Sequence, residues 1–253
     1  MDDLDADVVV VGAGNAALCA ALAAAETGAR VLVLERAPEA ESGGNSRFTA
    51  GAFRCVYDGV DDLRTLMPDL TDAEVANTDF GTYGEAQFFD DMGRITEYRT
   101  DPELCELLVT RSRATMRWMQ SKGVRFMPIW GRQAYRVGGR FKFWGGLTVE
   151  AWGGGPGLVD TLYRLARQSG VLIRFGAKVT DLVADDAGVH GVRVRHSVLD
   201  SKPPQASTTD LARIARVRPS WRTTTPCTPA SSAISSAARA PNAISTPAAA
   251  ARA

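Results

Sequence analysis

A chain of 253 residues with 45% hydrophobic content can bury a sizeable core in one domain or one and a half. Its 29 basic and 29 acidic residues cancel, so no global charge points to nucleic acid, and no apolar run reaches the length of about eighteen residues that spans a bilayer. Cys19, Cys55, Cys105 and Cys227 show no metal-ligand spacing and His190 and His196 are the only histidines, which excludes a disulfide framework and a histidine-rich metal centre. A cytoplasmic location is expected, and with the first strand beginning near Asp7, no signal peptide is expected before it.

Residues 7–35 read as a strand, a glycine turn, a helix and a second strand ending in an acid, the layout of a dinucleotide-binding βαβ unit. The β-branched run from Asp7 to Val11 suits a parallel strand buried on both faces. Gly12 permits a tight turn, and Gly14, without a Cβ, lets a pyrophosphate reach the free N–H groups of the next helix, around Ala13, Asn15 and Ala16. Ala17 is small enough for that helix, expected over 16–27 and stopped by Gly28, to lie close on the strand. Glu35 can accept hydrogen bonds from both hydroxyls of an adenosine ribose, with Arg36 beside it. NAD and FAD both fit this unit.

The loop that follows, through Gly43, Gly44, Asn45, Ser46, Thr49, Ala50 and Gly51, is too polar for a core but suited to wrapping a ligand with backbone N–H groups and hydroxyls. Alone it is equally a surface turn. Together, Gly12-x-Gly14-x-x-Ala17, Glu35-Arg36, Gly43-Gly44-Asn45-Ser46 and Thr49-Ala50-Gly51 resemble the flavoprotein subunits of the fumarate reductase and succinate dehydrogenase family. Within it, residues 43–54 and 135–157 look like the tricarballylate dehydrogenase branch. The resemblance implies an α/β, Rossmann-like FAD-binding domain and FAD rather than NAD. It also implies that residues 45–51 pass along the pyrophosphate and the flavin ring. Some members attach FAD through a histidine in this loop. Asn45, Ser46, Arg47 and Phe48 provide none, so non-covalent FAD is expected.

Further on, Thr71 and Glu74 form a capping box, and Asp101-Pro102 starts a helix running to Lys122 with Gly123 as its stop. Leu104, Leu107, Leu108, Met116 and Met119 are its expected core stripe. Residues 131–157 interleave Arg132, Arg136 and Arg140 with aromatics and glycines. An RNA surface would need a broader basic excess. Guanidinium forks suit a polycarboxylate substrate, and a hairpin with solvated arginines is the alternative. A helix is expected over 157–170, a strand over 171–175, and a hairpin from 178–185 and 189–195. The resemblance implies that Val179 lays its backbone against the adenine edge. His190 reads as a surface residue.

All 24 glycines lie at or before Gly191, and residues 197–253 carry seven basic against two acidic residues. Apart from residues 211–217 apolar periodicity is lost, so disorder is expected. Because the resembled family continues with a buried strand, a capping domain and the end of the FAD domain, the expectation is an incomplete FAD-binding domain over 1–196. Residues 197–253 read as a low-complexity Ala/Ser/Thr/Pro/Arg tail, either a natural disordered tail or the product of a lost reading frame. The family chemistry is oxidation or reduction across a carbon–carbon bond beside carboxylates, such as tricarballylate to cis-aconitate. A membrane-bound iron–sulfur or quinone partner is implied for electron transfer, placing the protein peripherally at the inner membrane. The catalytic cap being unmatched, this chain is expected to be inactive.

Overall fold

The computed structural model describes residues 5–143, 145–146, 148–196 and 212–216. The chain begins with β1 (Val8–Val11), α1 (Asn15–Glu26) and β2 (Val31–Leu34), then a loop with two 3-10 turns, Glu39–Glu41 and Gly44–Phe48, leading into β3 (Ala52–Phe53). The middle holds α2 (Gly59–Leu66), α3 (Asp72–Ala76), β4 (Thr78–Asp79), α4 (Glu85–Thr96), α5 (Pro102–Lys122), β5 (Phe126–Pro128) and α6 (Trp130–Gln133). The hairpin β6 (Ala134–Val137) and β7 (Arg140–Phe143) and the strand β8 (Val149–Ala151) follow. The remainder is α7 (Gly154–Gln168), β9 (Leu172–Arg174), β10 (Ala177–Asp185), β11 (Gly188–His196) and β12 (Ala212–Arg216).

The architecture is α/β with a parallel sheet of order β1-β2-β9. The Val-Leu-Val-Leu of β2 is buried throughout because each face has its own cover. Val31 and Val33 join the main core with Leu18, Ala21 and Leu22 of α1 and Leu158, Val159 and Leu162 of α7. Leu32 and Leu34 join a second cluster with Ala177, Val192 and Val194 at the base of the β10–β11 hairpin. β1 departs from the expected burial on both faces. Among the described residues it has β2 alone as a neighbour, and Val11 is 54% exposed. The fully buried parallel strand is β2.

α5 starts as expected, with the Leu104 N–H donating to Asp101 Oδ1 at 3.0 Å and Pro102 in the first turn, and Gly123 closes it at φ 107°. Its buried face is Cys105, Val109, Ser112, Met116 and Met119, whereas Leu104 and Leu108 are exposed. Both sets have helical spacing. The choice falls to the neighbours: α2 and α4 pack here, and Ser112 Oγ accepts the Val56 N–H at 3.1 Å. The Thr71–Glu74 capping box forms in full. α7 begins at Gly154, three residues earlier than expected.

β12 pairs antiparallel with β11, from Gly191 opposite Arg216 to Arg195 opposite Ala212, so one strand lies beyond residue 196. The rest of the segment expected to be disordered or out of frame lies outside the described residues. No described helix is long and apolar enough to cross a membrane. The α5 orientation is testable by denaturant unfolding: Met116→Ala should cost about 2–5 kcal/mol, and Leu108→Ala no more than about 0.5 kcal/mol. Equal losses would mean the stripe has been assigned to the wrong face.

Candidate cofactor site

The turn after β1 is shaped by Gly12, whose φ of 93° lies in the left-handed region that other residues rarely enter. The Gly12 N–H donates to Leu34 O at 2.8 Å, pinning the turn to the end of β2. Gly14 caps α1 in an extended conformation and brings no side-chain cap of its own to the first N–H groups of the helix.

Glu35 sits where the turn and β2 meet. It is 8% exposed, and its carboxylate accepts the Ala13 N–H at 2.8 Å through Oε2 and the Ala37 N–H at 2.8 Å through Oε1. These bonds stabilise a buried charge that has no ion-pair partner among the described residues. Each oxygen keeps a further acceptor position, so the carboxylate is oriented yet able to bind hydroxyls. Arg36 and Ala16 are exposed beside this turn, and Ala17 is half-buried.

The Gly44–Phe48 turn lies across the N-terminus of α1. The Asn15 N–H donates to Ser46 Oγ at 3.0 Å, and a Cβ on Gly14 would lie 3.4 Å from that hydroxyl and from Gly43 O. Gly44, Asn45 and Thr49 are exposed, and Ser46 and Ala50 are half-buried. Arg47 ties the loop down, donating to Ser42 O at 2.7 Å and to Asp160 Oδ1 on α7 at 2.8 Å.

The end of the loop meets a part of the chain a hundred residues away. A Cβ on Gly51 would fall 2.7 Å from the Gly154 carbonyl carbon, and one on Gly155 would fall 2.3 Å from Ser46 O. Backbone therefore rests on backbone here, with the Gly155 N–H donating to Thr49 O at 3.0 Å and the Ala151 N–H to Gly51 O at 2.8 Å. Residues 153–155 belong to the stretch 131–157 that the sequence leaves between a polycarboxylate-binding run and a hairpin with solvated arginines, with no helix expected before residue 157. Their position just ahead of an amphipathic run, with Pro156 in its first turn, was the available signal for a helix start.

On the other side of Glu35, the Ala177 N–H donates to Glu35 O at 2.8 Å, which starts β10 alongside the nucleotide turn. Val179 packs partly buried against the second core cluster, and a bulge follows it between the Val179–Val194 and Asp181–Arg193 pairs. Cys19, on α1, donates to Asn15 Oδ1 at 3.6 Å, and burial pushes its thiol up to about 12, so it stays protonated.

The three candidate arginines, of which one at most is expected to touch substrate, have separate surroundings. Arg132 is on α6, close enough to Glu150 of β8 to act on its charge. Arg136 stacks over the Phe141 ring at 4.5 Å, and Arg140 donates to Thr78 O at 2.8 Å. Sequence reasoning missed Arg54, three residues past Gly51. Its Nη1 donates to Tyr83 Oη at 2.8 Å, Asp91 Oδ2 at 2.9 Å and Gly145 O at 2.7 Å. Asp91 also accepts from Arg94, a bond that together with the Tyr83 hydroxyl holds its carboxyl below the ordinary range. Among the described residues no group of three potential metal ligands forms.

A family model described as an FAD binding domain matches residues 7–218. The chain belongs to this FAD-binding family. Among its relatives, a probable fumarate reductase, Ifc3, of Shewanella frigidimarina is 28% identical over 202 residues, covering 77% of this chain and 30% of that protein. A KsdD-like steroid dehydrogenase of Mycobacterium tuberculosis is 29% identical over 201 residues, covering 76% and 33%. The open conformation of a flavocytochrome c3 fumarate reductase superposes with a TM-score of 0.56 at 28% identity, over 76% of this chain and 30% of that one. The chain thus spans about a third of the length of these relatives.

FAD fits the residues present. The open turn at Gly12–Gly14 would take the pyrophosphate, the oriented Glu35 carboxylate the ribose, and the Ser46–Gly51 run the rest of the molecule. Glu35→Gln keeps the side-chain shape but loses the charged acceptor, and should weaken FAD binding by about tenfold, about 1.4 kcal/mol. Flavin fluorescence titration measures this, and an unchanged affinity would remove Glu35 from the site.

Proposed function

We propose that this chain carries the FAD-binding part of an FAD-dependent oxidoreductase that holds its flavin non-covalently and dehydrogenates a polycarboxylate, such as tricarballylate to cis-aconitate. The observation that supports it most is Glu35, a buried carboxylate held by two backbone N–H groups beside the glycine turn that opens α1. Such a carboxylate contributes little to a fold and much to binding a ribose beside a pyrophosphate. Absence of a histidine from residues 45–48 supports non-covalent attachment.

Bound FAD supplies a two-electron hydride acceptor. The residues of this chain bind and orient it: the nucleotide turn fixes the ADP end, and the Thr49–Gly51 backbone, immobilised on α7, fixes the other. The polycarboxylate rests on the resemblance of residues 43–54 and 135–157 and on the fumarate reductases among the relatives. A membrane-bound iron–sulfur or quinone partner would take up the electrons, holding the protein at the inner membrane face. Similarity to a steroid dehydrogenase supports a second reading, a ketosteroid as substrate. The alternative outside the enzyme class is a non-enzymatic flavoprotein fragment that binds FAD poorly or not at all.

The purified chain should be yellow, with a flavin band that denaturation releases entirely as free FAD. Colourless protein that takes up no FAD would contradict the reading, and flavin left on the denatured chain would contradict non-covalent binding. Anaerobic addition of tricarballylate, but not of a 3-ketosteroid, should perturb the flavin band. The opposite preference would favour the second reading.

A further inference from the structure

A cavity of about 570 Å³ lies between the Glu39–Glu41 turn and the flank of α7. Glu39, Ser42 and Arg47 line it from the loop, and Tyr163, Arg164 and Arg167 line it from the helix. Neither residues 12–17 of the nucleotide turn nor Glu35, Ser46 and residues 49–51 border it, so it lies apart from the cofactor site. Helical spacing makes the two sides of α7 different: Leu158, Val159, Leu162 and Ala166 turn into the core, while Arg164 and Arg167 stay on the outer flank.

The wall of this cavity contains a polar group that the fold leaves unmet. Tyr163 is 6% exposed, and its buried hydroxyl has no hydrogen-bond partner among the described residues. Ser42 Oγ, close enough to act on that hydroxyl, donates its own proton to Glu39 O at 2.7 Å and completes no hydrogen bond with it. Burial pushes the Tyr163 phenol up from its ordinary range, so it stays protonated and remains a donor. A buried donor without an acceptor costs stability.

Positive charge surrounds this donor. Arg167 lies over the Tyr163 ring at 5.9 Å and pairs with Glu39, and Arg47 pairs with Asp160 at 2.8 Å. Arg164 has no carboxylate partner among the described residues, and its Nη1 donates to the neutral Gln168 Oε1 at 3.1 Å. Glu39 and Asp160 are mostly exposed, and ion pairs of that kind are weak enough for an arriving anion to exchange with them.

We propose that this cavity is a second ligand site, on the far side of the flavin loop, that takes a small phosphate monoester, its phosphate received by Arg164, Arg167 and the Tyr163 hydroxyl. A phosphate monoester carries nearly two charges and three acceptor oxygens, which matches this donor set better than the single charge and two oxygens of a carboxylate. The cavity is larger than a bare phosphate needs and falls in the range of small-molecule pockets, which leaves room for the esterified group. The site is independent of the proposed FAD chemistry.

Isothermal titration of the full chain with glycerol phosphate and with inorganic phosphate, each with and without saturating FAD, tests the proposal. The ester should bind at one site per chain, more tightly than inorganic phosphate, and FAD should not displace it. Arg164→Ala should weaken binding about tenfold. Tyr163→Phe should weaken it roughly two- to tenfold with no loss of thermal stability, because the hydroxyl it deletes has no partner to lose. Glu39→Gln, which frees Arg167, should tighten binding roughly two- to fivefold, a gain that a damaged fold cannot give. Absence of saturable ester binding, an ester bound no more tightly than inorganic phosphate, displacement by FAD, or wild-type affinity in Tyr163→Phe and Glu39→Gln would each overturn the inference. So would a Tyr163→Phe chain less stable than the wild type, since its hydroxyl would then be satisfied within the fold. Colourless protein that still binds the ester would count against the FAD reading alone.

Discussion

Backbone resting on backbone, where residues 49–51 meet Gly154 and Gly155, is the contact on which the cofactor site depends. A side chain at Gly51 or Gly155 would have to occupy space held by peptide atoms 2.3–2.9 Å away, and peptide atoms cannot swing aside as a flexible side chain can. Because the two segments are this close, the N-terminus of α7 lies against the loop while its Leu158, Val159 and Leu162 reach the core shared with α1. One helix thereby positions both the loop and the helix whose N-terminus the loop crosses.

Charged contacts refine this arrangement without supplying much of its stability. The Arg47–Asp160 pair has a 65% exposed carboxylate side chain, and such pairs contribute at most about 1 kcal/mol. Its role is to hold the loop in register on α7. Arg54 acts similarly at the other end of β3, donating directly to Asp91 of α4, to the Tyr83 hydroxyl and to the Gly145 carbonyl. Tyr83 is fully buried, and burial pushes its hydroxyl up to about 12, so it remains a donor to Asp91. The apolar core contributes the energy, and the polar contacts select one geometry for the loop.

Features written in short stretches were legible in the sequence: the nucleotide turn, Glu35 at the tip of β2, the Thr71 capping box, the Asp101-Pro102 start and the β10–β11 hairpin. Each depends on residues a few positions apart, where local chemistry decides the conformation. Features depending on distant pairing were not. Nothing near Val8–Val11 says that β1 has one neighbour among the described residues, since an edge is a property of the sheet. Leu104 and Leu108 fit a helical stripe as well as Cys105 and Val109 do, and tertiary contacts chose between them. Arg140 looked like a free guanidinium, yet it bonds to the Thr78 carbonyl sixty-two residues earlier. Arg54 went unnoticed because an arginine after a strand has no motif around it.

If the loop and both helix starts make one site, FAD must protect them together. Hydrogen exchange of backbone amides, with and without FAD, measures this most directly. Slowed exchange at Ala13 and Asn15, at residues 44–51 and at Gly155, all with the same dependence on FAD concentration, is the predicted result. Protection confined to Ala13 and Asn15, with residues 44–51 and Gly155 unaffected, would contradict the account.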